Sequence, residues 1–110
     1  MATRKLERRE WQSFFDAASR ALPAGTVELR VSGLDIGDQV AAEHLPLLGI
    51  SFDPSEDAVH VIAEALDHAI SHPKAIYIEE EPSGLRIIEI TDDEGRKQLI
   101  ELTSAIALPA

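Results

Sequence analysis

The stretch Leu85–Thr103, LRIIEITDDEGRKQLIELT, predicts a β-hairpin. Two apolar segments, LRIIEI and RKQLIELT, stand on either side of the turn sequence DDEG. Gly95 occupies the position where this turn needs a left-handed backbone, which glycine adopts without steric cost. Because a short turn joins antiparallel strands, the stretch also indicates an antiparallel sheet.

Other parts of the chain have the character of strands as well. The segments are TVELRV (26–31), QVAAEHLPLLGISF (39–52), AVHVIAEA (58–65) and KAIYIEEE (74–81). Pro46, inside the second of them, indicates an edge position, a bend or a bulge. The turn sequence DPSED then predicts a hairpin over residues 47–64. The short connections favour antiparallel pairing throughout.

The segment before these strands predicts an amphipathic helix over about residues 4–22. Its apolar residues recur at helical spacing, and polar residues occupy the other faces. The apolar stripe consists of Leu6, Trp11, Phe14, Phe15, Ala18 and Leu22. Pro23 and Gly25 follow as stop signals. We interpret the stripe as the face that packs on the core, and expect Phe14→Ala to lower stability severely.

The segment LDHAISHP, Leu66–Pro73, is too polar for a core strand, and we predict a short helical turn near residues 65–72. His68 and His72 are four residues apart, a spacing that allows two ligands on one helix face to bind one metal ion. Asp67 is the third candidate ligand. Ala69 stands where zinc peptidases carry a glutamate, so no general base follows the first histidine. The competing interpretation is an exposed polar turn, and we predict that the protein folds without metal.

These elements define an α+β fold in one domain over residues 1–110, with the sheet at about residues 26–103. The N-terminal helix packs on a mostly antiparallel, strongly curved sheet of five to six strands, and a small helix-capped barrel is the close alternative. The chain of 110 residues, 45% of them apolar, suits one hydrophobic core. It has no cysteine, which excludes disulfides and cysteine-ligated zinc.

The distribution of charge narrows the range of partners. The net charge is −10, and residues 31–110 carry sixteen acidic against four basic residues. Such a surface repels phosphate backbones and anionic lipids, so we expect neither nucleic-acid nor membrane binding. The charged N-terminal segment has no apolar run behind it, and no window suits a membrane span. We therefore expect a soluble, cytoplasmic protein.

Two blocks of the sequence resemble a known family. GDQVAAEHLPLLGISFDP (37–54), followed by LDHAISHPKAIYI (66–78), is similar to a family of small uncharacterised bacterial proteins of about this length. The resemblance extends over nearly the whole chain. The family has an aromatic residue at the position of His44, which makes His44 a poor candidate for a shared ligand. Because the family carries no assigned activity or cofactor, the resemblance implies a single soluble bacterial domain and leaves the function open.

Three further clusters of charged residues have simple structural interpretations. Asp53, Ser55, Asp57 and Glu64 match ligand positions of a calcium loop, but Ala58 replaces the glycine that its sharp turn requires. The acidic turns EEEPSG and DDEG contain carboxylates without an identifiable catalytic pair. A basic cluster could contact phosphate, although acidic residues interleave with it as on a solvated helix face. It consists of Arg4, Lys5, Arg8 and Arg9.

The function predicted from these observations is a small, acidic, non-catalytic binding or assembly module. It would bind a protein or a second copy of itself through a sheet edge or the exposed side of the helix. The segment HLPLLGI (44–50) and the apolar tail AIALPA (105–110) favour this interpretation, because they suggest an exposed apolar surface. The alternative is a metal-dependent or carboxylate-based enzyme with its site near residues 66–73. We predict no cofactor.

Overall fold

The computed structural model describes residues 2–21, 28–33, 39–64 and 66–107, with side chains for residues 3–21, 46–64, 67–103 and 105–107. These residues form one α-helix and eight strands, so the α+β class is confirmed and the predicted number of five to six strands is wrong. The helix is α1, Trp11–Arg20, preceded by a 3₁₀ helix at Arg8–Glu10. The strands are β1 (Ala2–Leu6), β2 (Glu28–Gly33), β3 (Gln39–Asp53), β4 (Ala58–Ala63), β5 (Leu66–Ser71), β6 (Pro73–Glu81), β7 (Gly84–Asp92) and β8 (Lys97–Ile106).

The strands follow the order β1-β6-β7-β8-β2-β3-β4-β5, and each neighbouring pair is antiparallel. Strands β1 and β5 lie at the two ends of this order and do not pair with each other. The described residues therefore do not close into a barrel, and strong curvature of the sheet stays a prediction.

Strand β3 takes part in both halves of the sheet. Its pairing with β2 ends at Pro46, and its pairing with β4 begins at Leu47. The register shifts between Leu47 and Gly49, directly after Pro46. The predicted bend or bulge near Pro46 is thus confirmed, because a proline cannot donate to the ladder and a bulge lets the strand change direction.

Alternation along the strands builds the core. In the middle of β6, β7 and β8, isoleucines or leucines exposed by 2% or less occupy alternate positions. These residues are Ile76, Ile78, Ile88, Ile90, Ile100 and Leu102. Because successive strand residues point to opposite faces, this period places one apolar layer against α1 and the strands β3 and β4.

The predicted helix over residues 4–22 begins later than expected, at Trp11. Residues 2–6 form β1 instead, and Thr3 pairs with Glu79 of β6. Leu6 and Trp11 both face the core, at 1% and 2% exposure, and the Trp11 indole N–H donates to the Leu6 carbonyl at 3.3 Å. The 3₁₀ helix between them keeps both side chains on the core side. The apolar stripe therefore has the spacing of a continuous helix, although its first residues form a strand. Leu22 lies outside the described residues.

Helix α1 packs along β3 through its apolar stripe. Trp11, Phe15 and Ala18 are buried, whereas Phe14 is only half-buried. The rings of Trp11 and Phe52 meet edge to face, with 5.3 Å between their centroids. The predicted role of the stripe in the core is therefore confirmed, with Phe15 and not Phe14 as its central aromatic residue.

The predicted helical turn near residues 65–72 is wrong, since Leu66–Ser71 is the extended strand β5. All six of its residues pair with β4, from Ala63↔Leu66 to Ala58↔Ser71. A single helical turn is unstable alone, and the hydrogen bonds of a ladder outcompete it. The strand ends at Ser71, and the next residue, His72, has a φ of 53° and turns the chain toward β6. The β7–β8 hairpin turns as predicted, with Gly95 at φ 81°.

Candidate functional site

The three candidate metal ligands lie on one short segment but face different partners. His68 is half-buried, and its Nε2 is hydrogen-bonded to Oε1 of Gln98 at 2.6 Å. Asp67 is exposed, with its Oδ1 at 3.7 Å from Nδ1 of His60. Adjacent strand residues point to opposite faces, which separates these two side chains. Among the described residues, no group of three histidine and carboxylate side chains is placed to hold a metal ion.

The third candidate, His72, belongs to a small polar junction with Asp57 and Arg8. Its Nδ1 lies 3.3 Å from Asp57 Oδ2, and its backbone N–H donates to the Asp57 carbonyl at 2.8 Å. Arg8 donates to Asp57 Oδ1 at 2.8 Å, and its guanidinium lies 4.9 Å from the Trp11 ring centroid. Hydrogen bonds from Arg8 and then from His72 lower the pKa of Asp57 below its ordinary value. The junction therefore holds an ionised carboxylate between two potential cations.

Asp57 and His72 share an uncommon backbone conformation. They have φ angles of 52° and 53°, in the left-handed region that few residues other than glycine adopt. Aspartate and histidine tolerate this region better than most residues, because their side chains can hydrogen-bond locally. The contact between them joins the β3–β4 turn to the end of β5.

The other carboxylate clusters are engaged in local structure. Asp53 accepts hydrogen bonds from the Ser55 N–H and hydroxyl at 2.9 and 2.7 Å, which lower its pKa and stabilise the β3–β4 turn. In the acidic turn after β6, Glu81 pairs with Arg86 at 3.3 Å. Asp53 of the possible calcium loop and Glu81 of EEEPSG thus serve a turn and an ion pair.

Asp92 is a buried carboxylate that the sequence pattern did not reveal. Its side chain is 4% exposed, and it accepts hydrogen bonds from the N–H groups of Glu94 and Arg96 and from the Arg96 guanidinium, at 2.9–3.0 Å. Burial raises the pKa of Asp92, but the hydrogen bonds from Arg96 and Glu94 outweigh burial and leave the pKa below its ordinary value. Asp92 therefore fixes the β7–β8 turn, and its position as the first residue of the turn sequence DDEG is the signal in the sequence.

The edge of β5 is one of the two ends of the described sheet. This strand pairs with β4 on one side, and no described strand pairs with its other side. Asp67, Ala69 and Ser71 are exposed along it. On β4, the strand beside β5, Ile62 is 40% exposed, and on β3, one strand further away, Leu48 is 59% exposed; we call these two residues the apolar pair. Leu48 lies within HLPLLGI, the segment from which an exposed apolar surface was predicted.

The fold and this surface define an α+β protein whose antiparallel sheet ends, among the described residues, in the strand β5. The chain belongs to the family of unknown function DUF5335, whose model matches residues 2–110. It is 44% identical over 110 residues to an uncharacterized protein of the bacterium Aquifex aeolicus (strain VF5), and the match covers 99% of each chain. No solved structure matches the chain significantly. The resemblance to a family of uncharacterised bacterial proteins is thus confirmed.

The described part of the chain contains no helix that is both long enough and apolar enough to span a bilayer.

Proposed function

We propose that this protein is a small, non-catalytic, cytoplasmic assembly module that pairs with a second copy of itself through the edge of β5. The observation that carries the proposal is the edge of β5, which no described strand pairs with, and Ile62 of the apolar pair lies on the adjacent strand β4. An exposed strand presents unpaired N–H and C=O groups, and adding a strand from another chain satisfies them.

The opposite end of the sheet is less suited to pairing. Strand β1 carries Arg4 and Lys5, and lysine on an edge strand opposes the approach of another strand. Arg4 is also held by Glu10 at 2.8 Å and Glu80 at 3.8 Å, which fixes charge along this edge. In contrast, the exposed positions of β5 include two small residues, Ala69 and Ser71, that allow close approach.

The charges on β5 favour one antiparallel register between two copies. Centred on Ala69, the pairing sets Asp67 of each copy opposite Ser71 of the other. Registers that bring the two Asp67 carboxylates face to face are disfavoured, because like charges directly opposite destabilise a strand pair. This arrangement uses the same surface on both copies and closes as a two-fold dimer.

Sedimentation equilibrium of the purified protein tests the proposal. We expect the wild type to approach twice the monomer mass as its concentration rises, and Ala69→Lys to remain monomeric. The matched control is Thr3→Lys, which adds the same charge to the β1 edge and should dimerise like the wild type. A monomeric wild type would refute self-pairing, and an Ala69→Lys dimer would exclude β5 as the interface.

The non-catalytic part of the proposal is supported by how the titratable side chains are engaged. His68, Asp57 and Asp92 are each hydrogen-bonded to a structural partner, and none of them lines the groove beside Lys5 and Lys74 or the depression beside Tyr77 and Ile87. Catalytic groups usually converge on a concave pocket.

A further inference from the structure

A groove of about 520 Å³ lies between β1, the start of the helical segment and β6. It is lined by Lys5, Leu6, Glu7, Arg8, Trp11 and Lys74, and we call it the cationic groove. Two basic side chains of the N-terminal segment, Lys5 and Arg8, and one from β6, Lys74, line this groove on a protein of net charge −10. We propose that the cationic groove binds a small molecule that carries a phosphate or pyrophosphate group, a site independent of the proposed self-pairing.

Two of the three basic groups are available to a ligand. Glu7 is paired with Arg9 at 2.8 Å, and Arg8 with Asp57 at 2.8 Å. Among the described residues, neither Lys5 nor Lys74 has a carboxylate within ion-pairing distance. Lys5 lies 5.8 Å from the Tyr77 ring centroid and makes no shorter polar contact with the described side chains. Two ammonium groups without carboxylate partners complement a dianion, and phosphate carries about −1.5 to −2 charges at neutral pH.

Lys74 is directed by an irregularity of its strand. In the pairing of β6 with β7, Pro73 faces Asp92 and Ala75 faces Thr91, so Lys74 is the extra residue of a bulge. A bulge re-aims the side chain of the residue that it inserts, and bulges are frequent beside binding sites. With regular pairing, the side chain of Lys74 would follow the alternation of faces along β6. The bulge instead places this cation at the groove.

Arg8 gives the groove a fixed wall. Its guanidinium lies 4.9 Å from the Trp11 ring centroid and 5.6 Å from that of Phe52, and Asp57 holds it from the far side. Leu6 and Trp11 supply an apolar floor. A preformed arrangement of this kind lowers the ordering cost of binding. The acidic remainder of the protein acts weakly, because charges more than about 10 Å away are screened at about 0.1 M salt.

The single tryptophan of the chain, Trp11, lines this groove, so its fluorescence reports on the proposed site. We would titrate the full chain with inorganic pyrophosphate at low ionic strength. A saturable change of fluorescence is expected, with affinity that falls as salt rises. The Lys5→Gln/Lys74→Gln double variant should bind at least about tenfold more weakly, the effect of losing one charge-assisted hydrogen bond.

Lys97→Gln is the control, since it removes one ammonium charge, that of the remaining lysine of the chain, outside the groove, where the double variant removes two. Its affinity should stay within about twofold of the wild type, as expected for a distant, screened charge. Succinate, a dicarboxylate without phosphate oxygens, should bind more weakly than pyrophosphate. The proposal is overturned by an absence of saturable change, by equal weakening in Lys97→Gln and the double variant, or by succinate binding as tightly. Melting curves of each variant confirm that it is folded.

Discussion

The second half of β3 and the strand β5 both have a side that no described strand pairs with, but only β3 is covered. Beyond Pro46, helix α1 lies against β3 with Trp11, Phe15 and Ala18 buried. The Ser19 hydroxyl donates to the Ile50 carbonyl at 2.6 Å and accepts from the Ile50 N–H at 2.9 Å. The Ser19 hydroxyl thus satisfies the Ile50 N–H and C=O groups, which a neighbouring strand would otherwise pair with. The strand β5 has no such cover among the described residues.

The two strands illustrate two ways in which a fold can accommodate a strand edge. An edge that is covered by a helix contributes to stability, because apolar side chains are buried and the backbone groups are paired. An uncovered edge contributes little to stability and leaves backbone groups available to a partner. Substitutions along α1 should therefore change the free energy of unfolding, whereas substitutions along β5 should change association.

The largest effect is expected for Phe15→Ala, which removes the fully buried ring from the cover of β3. The free energy of unfolding should fall by about 3–5 kcal/mol, as measured for buried phenylalanines. Urea denaturation measures it, and Phe14→Ala, at a half-buried position of the same helix, should cost clearly less. Equal losses at the two positions would mean that the helix does not pack through this face.

The next effect concerns the anchor at the end of β5. The His72 carbonyl accepts from the Asp93 N–H at 3.0 Å, so the β7–β8 turn holds this end of the uncovered strand. Asp92→Asn weakens the charge-assisted hydrogen bonds that fix the turn, and we expect a loss of about 1.5–3 kcal/mol. Glu94→Gln, at an exposed position of the same turn, is the control in the same denaturation experiment.

The contribution of Asp92 should also depend on pH in one direction. Its pKa is lower in the folded protein than the value of about 3.9 in unfolded chains. Its stabilisation is therefore complete above that value and is lost as the pH falls through the folded pKa. The difference between wild type and Asp92→Asn should be constant near neutral pH and shrink below about pH 4. A difference that persists in acid would show that the carboxylate charge is unimportant.

A smaller effect is expected for Ser19→Ala, which removes the hydroxyl that pairs with Ile50. The backbone N–H and C=O of Ile50 lose their partner at a half-buried position, and we expect a loss of about 1–2 kcal/mol. Ser13→Ala on the same helix removes an exposed hydroxyl, which donates to the Glu10 carbonyl at 3.2 Å, and should change stability by no more than about 0.5 kcal/mol. A neutral Ser19→Ala would mean that water replaces the hydroxyl.

The smallest change in stability is expected on the uncovered strand itself. At concentrations where the protein is monomeric, Ala69→Lys should alter the free energy of unfolding by no more than about 0.5 kcal/mol, because the side chain is exposed. The same substitution is expected to abolish self-pairing. A large loss in the monomer would show that β5 is packed against further parts of the chain, and the contrast with β3 would disappear.

The sequence predicts this fold wherever local patterns and tertiary structure agree. The alternation in β6–β8, the bulge after Pro46 and the left-handed Gly95 are visible in short windows. The strand β1 is not, because its residues 2–6 become extended only by pairing with β6, far away in the sequence. In β5, the polar His68 on the inward side hides the period of two, and its partner Gln98 lies on β8. The cationic groove cannot be predicted from the sequence for the same reason, because Lys74 lies beside the N-terminal basic residues only in the folded chain.

The pairing of Thr3 with Glu79 has a consequence for the order of events during synthesis. The ribosome releases β1 and the aromatic residues of α1 long before it synthesises β6. Until then, β1 has no partner strand to pair with. Contacts between distant parts of a chain form slowly, and apolar segments exposed in the meantime are prone to aggregation. We therefore expect the nascent N-terminal segment to be a stronger client of ribosome-bound chaperones than its length suggests, until the residues around Glu79 have emerged.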